Sequence, residues 1–304
     1  MDIIPSETLV AKGRLLKDSA KLGIILDMLW QSLAVAALLP FQKAAMDAVD
    51  VRIAKADPAV SLCRFVGYPK GGSDDRFVPN PAFWGKGIDF SCASPWNSGG
   101  GSLRAGTLIS KRHVLFAKHF PLWKGVRILF VDDEGVVCPC YVDATKGVDA
   151  SDMMVGLLNA EVTPNIHPAK VLPDDFAQYL GDGYGLPVVT LNRQEKAFVT
   201  ELNVIPTNGT PPSVRNREPK DARRALFRDR IVIGDSGNPA FLVIGNTPIL
   251  LYCLQTGGCG CGPFVNQHRR ELQAAMDELC SGYKLETFDF SVDSAKVTDS
   301  AKTQ

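Results

Sequence analysis

The chain has 304 residues, and its 33 basic and 33 acidic side chains give a formal net charge of +0. That balance supplies no basic field to imply a nucleic-acid partner, and the length admits two domains plus extensions. Glycine (27) and proline (20) are plentiful, as short strands joined by turns require.

Residues 1 to about 60 lack strand alternation and read as helical. Lys12, Arg14, Lys17 and Lys21 precede an apolar stretch from Leu22 to Phe41, with the small residues Ala34-Val35-Ala36-Ala37 inside it. That order fits a signal peptide or an uncleaved anchor. Asp27 and Gln31 interrupt the stretch, so a packed amphipathic helix or a pro-segment fits nearly as well. A secreted or periplasmic setting is favoured over a cytoplasmic one. A membrane is a partner only if residues 22–41 act as an anchor. A spanning helix needs about 20 predominantly apolar residues, and this stretch carries a charge near its start. Residues 61–104 are loop-rich and end in Asn97-Ser98-Gly99-Gly100-Gly101-Ser102.

Brief apolar runs separated by turn signals then predict strands near 105–109, 114–118, 126–131, 136–142 and 153–158. Residues 173–185 read as a linker. Further strands are expected near 187–191, 197–204, 226–233, 239–245 and 248–255, with the Pro- and Arg-rich stretch Thr207 to Arg223 as a surface loop. Leu272, Met276 and Leu279 fall at i, i+4 and i+7, which predicts a helix over 265–281. The end, residues 291–304, is polar and reads as disordered.

Gly234-Asp235-Ser236-Gly237-Asn238-Pro239 lies between two apolar runs. A serine between glycines on a tight turn exposes its hydroxyl, and its backbone N–H groups can converge on one point. Attack on a carbonyl needs that pairing of nucleophile and oxyanion donors, although Gly, Asp and Ser also make ordinary turns. A serine nucleophile needs a base, and the base needs an orienting carboxylate. Of the four histidines, His119 sits where an apolar run ends. His113 reads as a turn-flanking residue, and His167 and His268 as surface residues. Asp152 heads the apolar run Met153 to Leu158 and can be buried against an imidazole N–H. Asp149 is its nearest rival.

These segments resemble the trypsin-like (chymotrypsin-fold) serine peptidases, as a distant branch. Gly106-Thr107-Leu108-Ile109 with Val114 to His119, Asp152-Met153-Met154-Val155, and Gly234 to Gly237 are similar to the family's three motifs, in the family's order. Leu251 to Gly257 is similar to its substrate-binding strand. The resemblance covers about residues 86 to 282. Phe120 and Val232 stand where the family has cysteines, Asn238 replaces a glycine, and Gln255-Thr256-Gly257 lacks the usual Ser-Trp pair.

The resemblance implies an all-β fold of two six-stranded antiparallel barrels, with a helical N-terminal extension and a C-terminal helix. The boundaries are 1–85 for the extension, 86–172 for the first barrel, 186–264 for the second, 265–282 for the helix and 283–304 for the tail. It implies a serine endopeptidase acting on a peptide or protein substrate without a cofactor. His119, Asp152 and Ser236 would be catalytic, and Gly234 and Ser236 the oxyanion donors. Arg230, Gln255, Thr256 and Gly257 would bind substrate, with Arg230 at the pocket base favouring acidic side chains. Asp235 would shape the oxyanion turn, a processed N-terminus being one candidate partner. The alternative is a pseudoenzyme, or a latent zymogen held inactive by residues 1–85. The pairs Cys138/Cys140 and Cys259/Cys261 read as free thiols or disulfides ahead of a zinc site. Asn208-Gly209-Thr210 is a glycosylation triplet.

Overall fold

The computed structural model describes residues 41–67, 76–95, 104–181, 183–207 and 210–290. The basic leader, nearly all of the apolar stretch 22–41, the glycine run at 97–102, most of the glycosylation triplet and the tail 291–304 lie outside these residues. Among the described residues, no helix is long and apolar enough to cross a membrane.

Most of the regular secondary structure among the described residues is strand, arranged in two main sheets with few helices. Helix α1 (41–53) and the short helix α2 (Pro58–Ser61) lead into a two-stranded ribbon of β1 (Phe65–Gly67) and β2 (Val78–Pro79). A five-stranded sheet follows, built from β3 (Thr107–Ser110), β4 (His113–Ala117), β5 (Arg127–Val131), β6 (Val137–Gly147) and β7 (Met153–Leu158). Its spatial order is β3-β4-β7-β6-β5. The second sheet has six strands in the order β11-β10-β9-β12-β13-β8. These are β8 (Lys170–Val171), β9 (Pro187–Leu191), β10 (Ala197–Thr207), β11 (Thr210–Arg217), β12 (Pro239–Ile244) and β13 (Thr247–Cys253).

The strands follow the hydrophobic pattern. In β6, Cys138, Cys140 and Val142 point inward while Pro139, Tyr141 and Asp143 point out, the period-2 alternation of a half-buried strand. That alternation puts both cysteines on one inner face, with sulfurs 4.0 Å apart. All eight cysteines are free thiols. Among the described residues, no three His, Cys, Asp or Glu side chains gather as a metal site. By contrast β12 is buried along its whole length and β13 nearly so, as continuous apolar runs require.

Three expectations are corrected. Residues 170–171, which fall within the span 86–172 given to the first barrel, pair in parallel with β13 of the second sheet, Lys170 opposite Ile249. The expected loop 207–223 contains strand β11. The strand lies at the sheet edge, where proline is tolerated, and Arg217 Nε donates to Glu201 Oε1 across the register at 2.8 Å. The expected strand 226–233 does not form. Asp221 caps helix α4 (Ala222–Leu226) by accepting from the Arg224 N–H at 2.9 Å. The Val232 N–H then donates to Asp235 Oδ2 at 2.8 Å rather than to a ladder. The linker 173–185 holds a short helix α3 (Ala177–Leu180). The C-terminal helix is a 3₁₀ turn over Val265–His268 followed by α4's successor α5 (Arg269–Cys280), which buries Leu272, Ala275 and Met276.

The described residues of 41–93 share the interior of both halves. Phe41 and Ala45 pack in the core that holds Leu186, Val188, Phe198 and Leu242. Ala48, Val49, Ile53, Trp84, Ile88 and Phe90 join the core formed by β3, β4 and β7. Trp84 Nε1 donates to the Ala197 carbonyl at 2.7 Å. Asp50 on α1 holds Arg224 on α4 in a two-point ion pair, both contacts 2.7 Å, and Arg224 Nη1 also reaches the Gly185 carbonyl.

Candidate active site

Strand register brings the first two groups together. Antiparallel pairing sets Ala117 at the end of β4 opposite Met153 at the start of β7. The next residues outward are therefore neighbours, and the Lys118 N–H donates to the Asp152 carbonyl at 2.9 Å. One residue further, His119 meets the Asp152 carboxylate twice. Its backbone N–H donates to Oδ1 at 2.9 Å, and its ring Nδ1 lies 2.5 Å from Oδ2. An ionised carboxylate only accepts, so Nδ1 carries the proton, and Nε2 of the neutral ring is left as an acceptor. Ser236 Oγ lies 2.9 Å from that Nε2. Asp152 was expected to be buried, but its side chain is 39% exposed and that of His119 43%, so the pair opens onto solvent. Asp149 is exposed and lies apart from this chain of bonds.

The second sheet supplies Ser236 on the turn ahead of β12. Gly234 (φ 97°) and Gly237 (φ 89°) both occupy the left-handed region, which side chains disfavour. The Asp235 N–H donates to the Val232 carbonyl, the Gly237 N–H to the Leu254 carbonyl and the Asn238 N–H to the Asp235 carbonyl. The N–H groups of Gly234 and Ser236 have no acceptor among the described residues. Gly237 also docks the turn on the first sheet, because a Cβ there would lie 2.6 Å from the Ala105 carbonyl oxygen. Gly237→Ala is therefore expected to destabilise the protein by about 2–3 kcal/mol and to displace Ser236. A fall in Tm with loss of reactivity at Ser236 would be measured, and an unchanged Tm would refute the docking role.

Asp235 is fully buried beneath this turn. Its partners are backbone donors: Oδ1 accepts from the Arg193 N–H at 3.0 Å and Oδ2 from the Val232 N–H. These bonds do not include the processed N-terminus entertained as a candidate. Burial pushes its carboxyl upward, opposed by the two N–H groups and by the Arg193 charge.

A cleft of about 670 Å³ opens in front of Ser236. His119, Gly234, Gln255, Thr256 and Gly257 line it, as the sequence leads one to expect. Gln255 does a second job, since its Nε2 donates to the Asp152 carbonyl at 2.5 Å and ties the end of the β13 segment to the carboxylate residue. Arg230 is corrected: it is exposed, it does not line the cleft, and its N–H turns back to the Asp229 carboxylate. The cation in the cleft is Arg193, which sequence reasoning missed. It follows β9 in a turn where Asn192 Oδ1 accepts from the Gln194 and Lys196 N–H groups, and only its tertiary bond to Asp235 brings it to the site. Val232 and Ile233 form an apolar lip, Ile233 being 97% exposed, the kind of surface a ligand covers.

The remaining histidines stand away from this cleft. His113, expected to be a simple turn residue, is fully buried, with Nδ1 2.8 Å from Ser110 Oγ and its ring against Tyr283; burial lowers its pKa. His167 pairs with Asp89 at 2.7 Å and is largely exposed. A hydroxyl hydrogen-bonded to an imidazole that is itself held by a carboxylate can lose its proton as it attacks an electrophile. No protein-family model matches the chain, and no curated protein matches it in sequence.

Proposed function

We propose that the chain is a serine endopeptidase whose two sheets are the halves of a chymotrypsin-like double barrel. The observation that carries this reading is the continuous hydrogen-bonded path from Asp152 through His119 to Ser236, at 2.5 and 2.9 Å, at the wall of an open cleft. Ser236 Oγ attacks the peptide carbonyl carbon while His119 Nε2 takes the hydroxyl proton. The carbonyl oxygen becomes an oxyanion held by the uncommitted N–H groups of Gly234 and Ser236. Collapse breaks the C–N bond, and the imidazolium returns its proton to the departing amine. Water, deprotonated by the same imidazole, then releases the acyl group from Ser236. Asp152 fixes the ring so that Nε2 faces the serine and stabilises the imidazolium. A bound peptide would cover His119, exclude water and strengthen each of these interactions.

Purified protein treated with a fluorophosphonate is expected to be labelled at Ser236, and the Ser236→Ala protein is expected to remain unlabelled. Equal labelling of both proteins, or labelling of neither, would sink the proposal.

A further inference from the structure

Among the described residues lining the cleft in front of Ser236, Arg193 is the one Lys, Arg, Asp or Glu. It is half-buried, and its guanidinium makes no hydrogen bond or ion pair with another described residue. The nearby acids are already engaged. Asp235 gives both carboxylate oxygens to backbone N–H groups, and Asp229 pairs with Lys196 at 2.8 Å. The Arg193 backbone is itself fixed, because its N–H is the donor to Asp235 Oδ1.

The guanidinium lies beside the turn that carries the nucleophile. A Cβ built on Gly234 would sit 2.8 Å from Arg193 Nη1, so the cation lies directly beside the residue that precedes Asp235-Ser236. A partly desolvated guanidinium whose N–H groups hydrogen-bond to no described acid is a site for a carboxylate, which it can bind at two points. Ile231, Val232, Ile233 and Leu254 supply apolar wall beside it, suited to the aliphatic part of such a side chain.

We infer that Arg193 selects substrates with an acidic side chain next to the scissile bond. This rests on the peptidase reading and names its substrate class. A neutral isostere loses the charge-assisted bonds, and a basic side chain meets like charge.

The test uses the full chain and matched fluorogenic peptides with Glu, Gln or Lys at each position flanking the cleavage point. Wild type is expected to favour Glu over Gln by about 10–100-fold in kcat/KM at one position, carried mainly by KM. Arg193→Gln is expected to erase that preference while still cleaving the Gln peptide, and Arg193→Glu to favour Lys. Equal cleavage of Glu and Gln peptides by wild type overturns the inference, as does a preference that survives in Arg193→Gln. A uniform fall in kcat on every peptide also overturns it, since Arg193 would then act on the oxyanion side and not on selection. Failure of the peptidase reading looks different: no peptide is cleaved and the fluorophosphonate does not react, and both proposals then fall together.

Discussion

Replacing Asp152 with Asn is expected to lower kcat by about 10³–10⁴-fold while leaving KM and Tm nearly unchanged. The reason lies in the two bonds that the carboxylate accepts from His119, one from the backbone N–H and one from ring Nδ1. A carboxylate can accept at both oxygens, whereas an amide has one oxygen and one NH₂. If the amide oxygen keeps the backbone bond, the NH₂ faces Nδ1 and donates to it. The ring proton then sits on Nε2, the atom that faces Ser236 Oγ, and Nε2 can no longer accept the serine proton. If the amide turns over, its NH₂ opposes the backbone N–H and the segment after β4 is pushed away from β7. A loss of about 10⁴ is what the wrong tautomer costs where the acid is buried. The 39% exposure of Asp152 lets water offset part of the loss, hence the lower end of the range. Parallel assays of peptide turnover, fluorophosphonate labelling rate and thermal melting check this. Activity within tenfold of wild type would show that Asp152 does not set the tautomer.

Much of this site was legible because its chemistry depends on local sequence. A glycine on each side of Asp235-Ser236 marks a turn with positive φ, and both glycines adopt it. His119 and Asp152 were legible because each sits at the end of an apolar run, and strand pairing turns two run-ends into neighbours. What escaped depended on distant partners. Arg193 has no local mark of function; it comes to the cleft through the Asp235 carboxylate. Arg230 belongs at the pocket base only by the resemblance, and the expected strand 226–233 that would hold it there is replaced by a capped helix and an irregular segment. The Pro-rich stretch 207–223 was read as a loop because proline breaks central strands, yet an edge strand tolerates it and β11 lies at an edge. The pairing of β8 with the second sheet is a contact between Lys170 and Ile249, for which two residues carry no periodic signal.

A protein beginning at residue 86 is expected not to fold. The reading of residues 1–85 as a detachable latency segment predicts the opposite: a soluble product with increased labelling at Ser236. The packing of residues 41–85 decides between them. Val49, Ile53, Phe65, Phe77 and Trp84 are all buried against strands that would remain. Each large apolar side chain contributes about 1.5–3 kcal/mol on burial. Even discounted for residual burial in the unfolded chain, their combined loss is on the order of the whole stability of a domain, about 5–15 kcal/mol. Deletion would also uncover Leu129, Val131 and Phe227, which are fully buried in the intact chain. It would strip Asp50 from Arg224, whose side chain is only 3% exposed, and a guanidinium that loses its carboxylate in such a place is strongly destabilising. Backbone bonds go as well, since the Ala197 N–H donates to the Leu62 carbonyl and the Arg64 N–H to the Glu195 carbonyl. The second of these anchors the turn that carries Arg193. Expression from residue 86 should therefore give aggregated protein, without a cooperative melting transition and without labelling at Ser236. A monomeric, cooperatively melting product that labels faster than the full chain would show that residues 41–85 are a removable cover, and that the core closes without them.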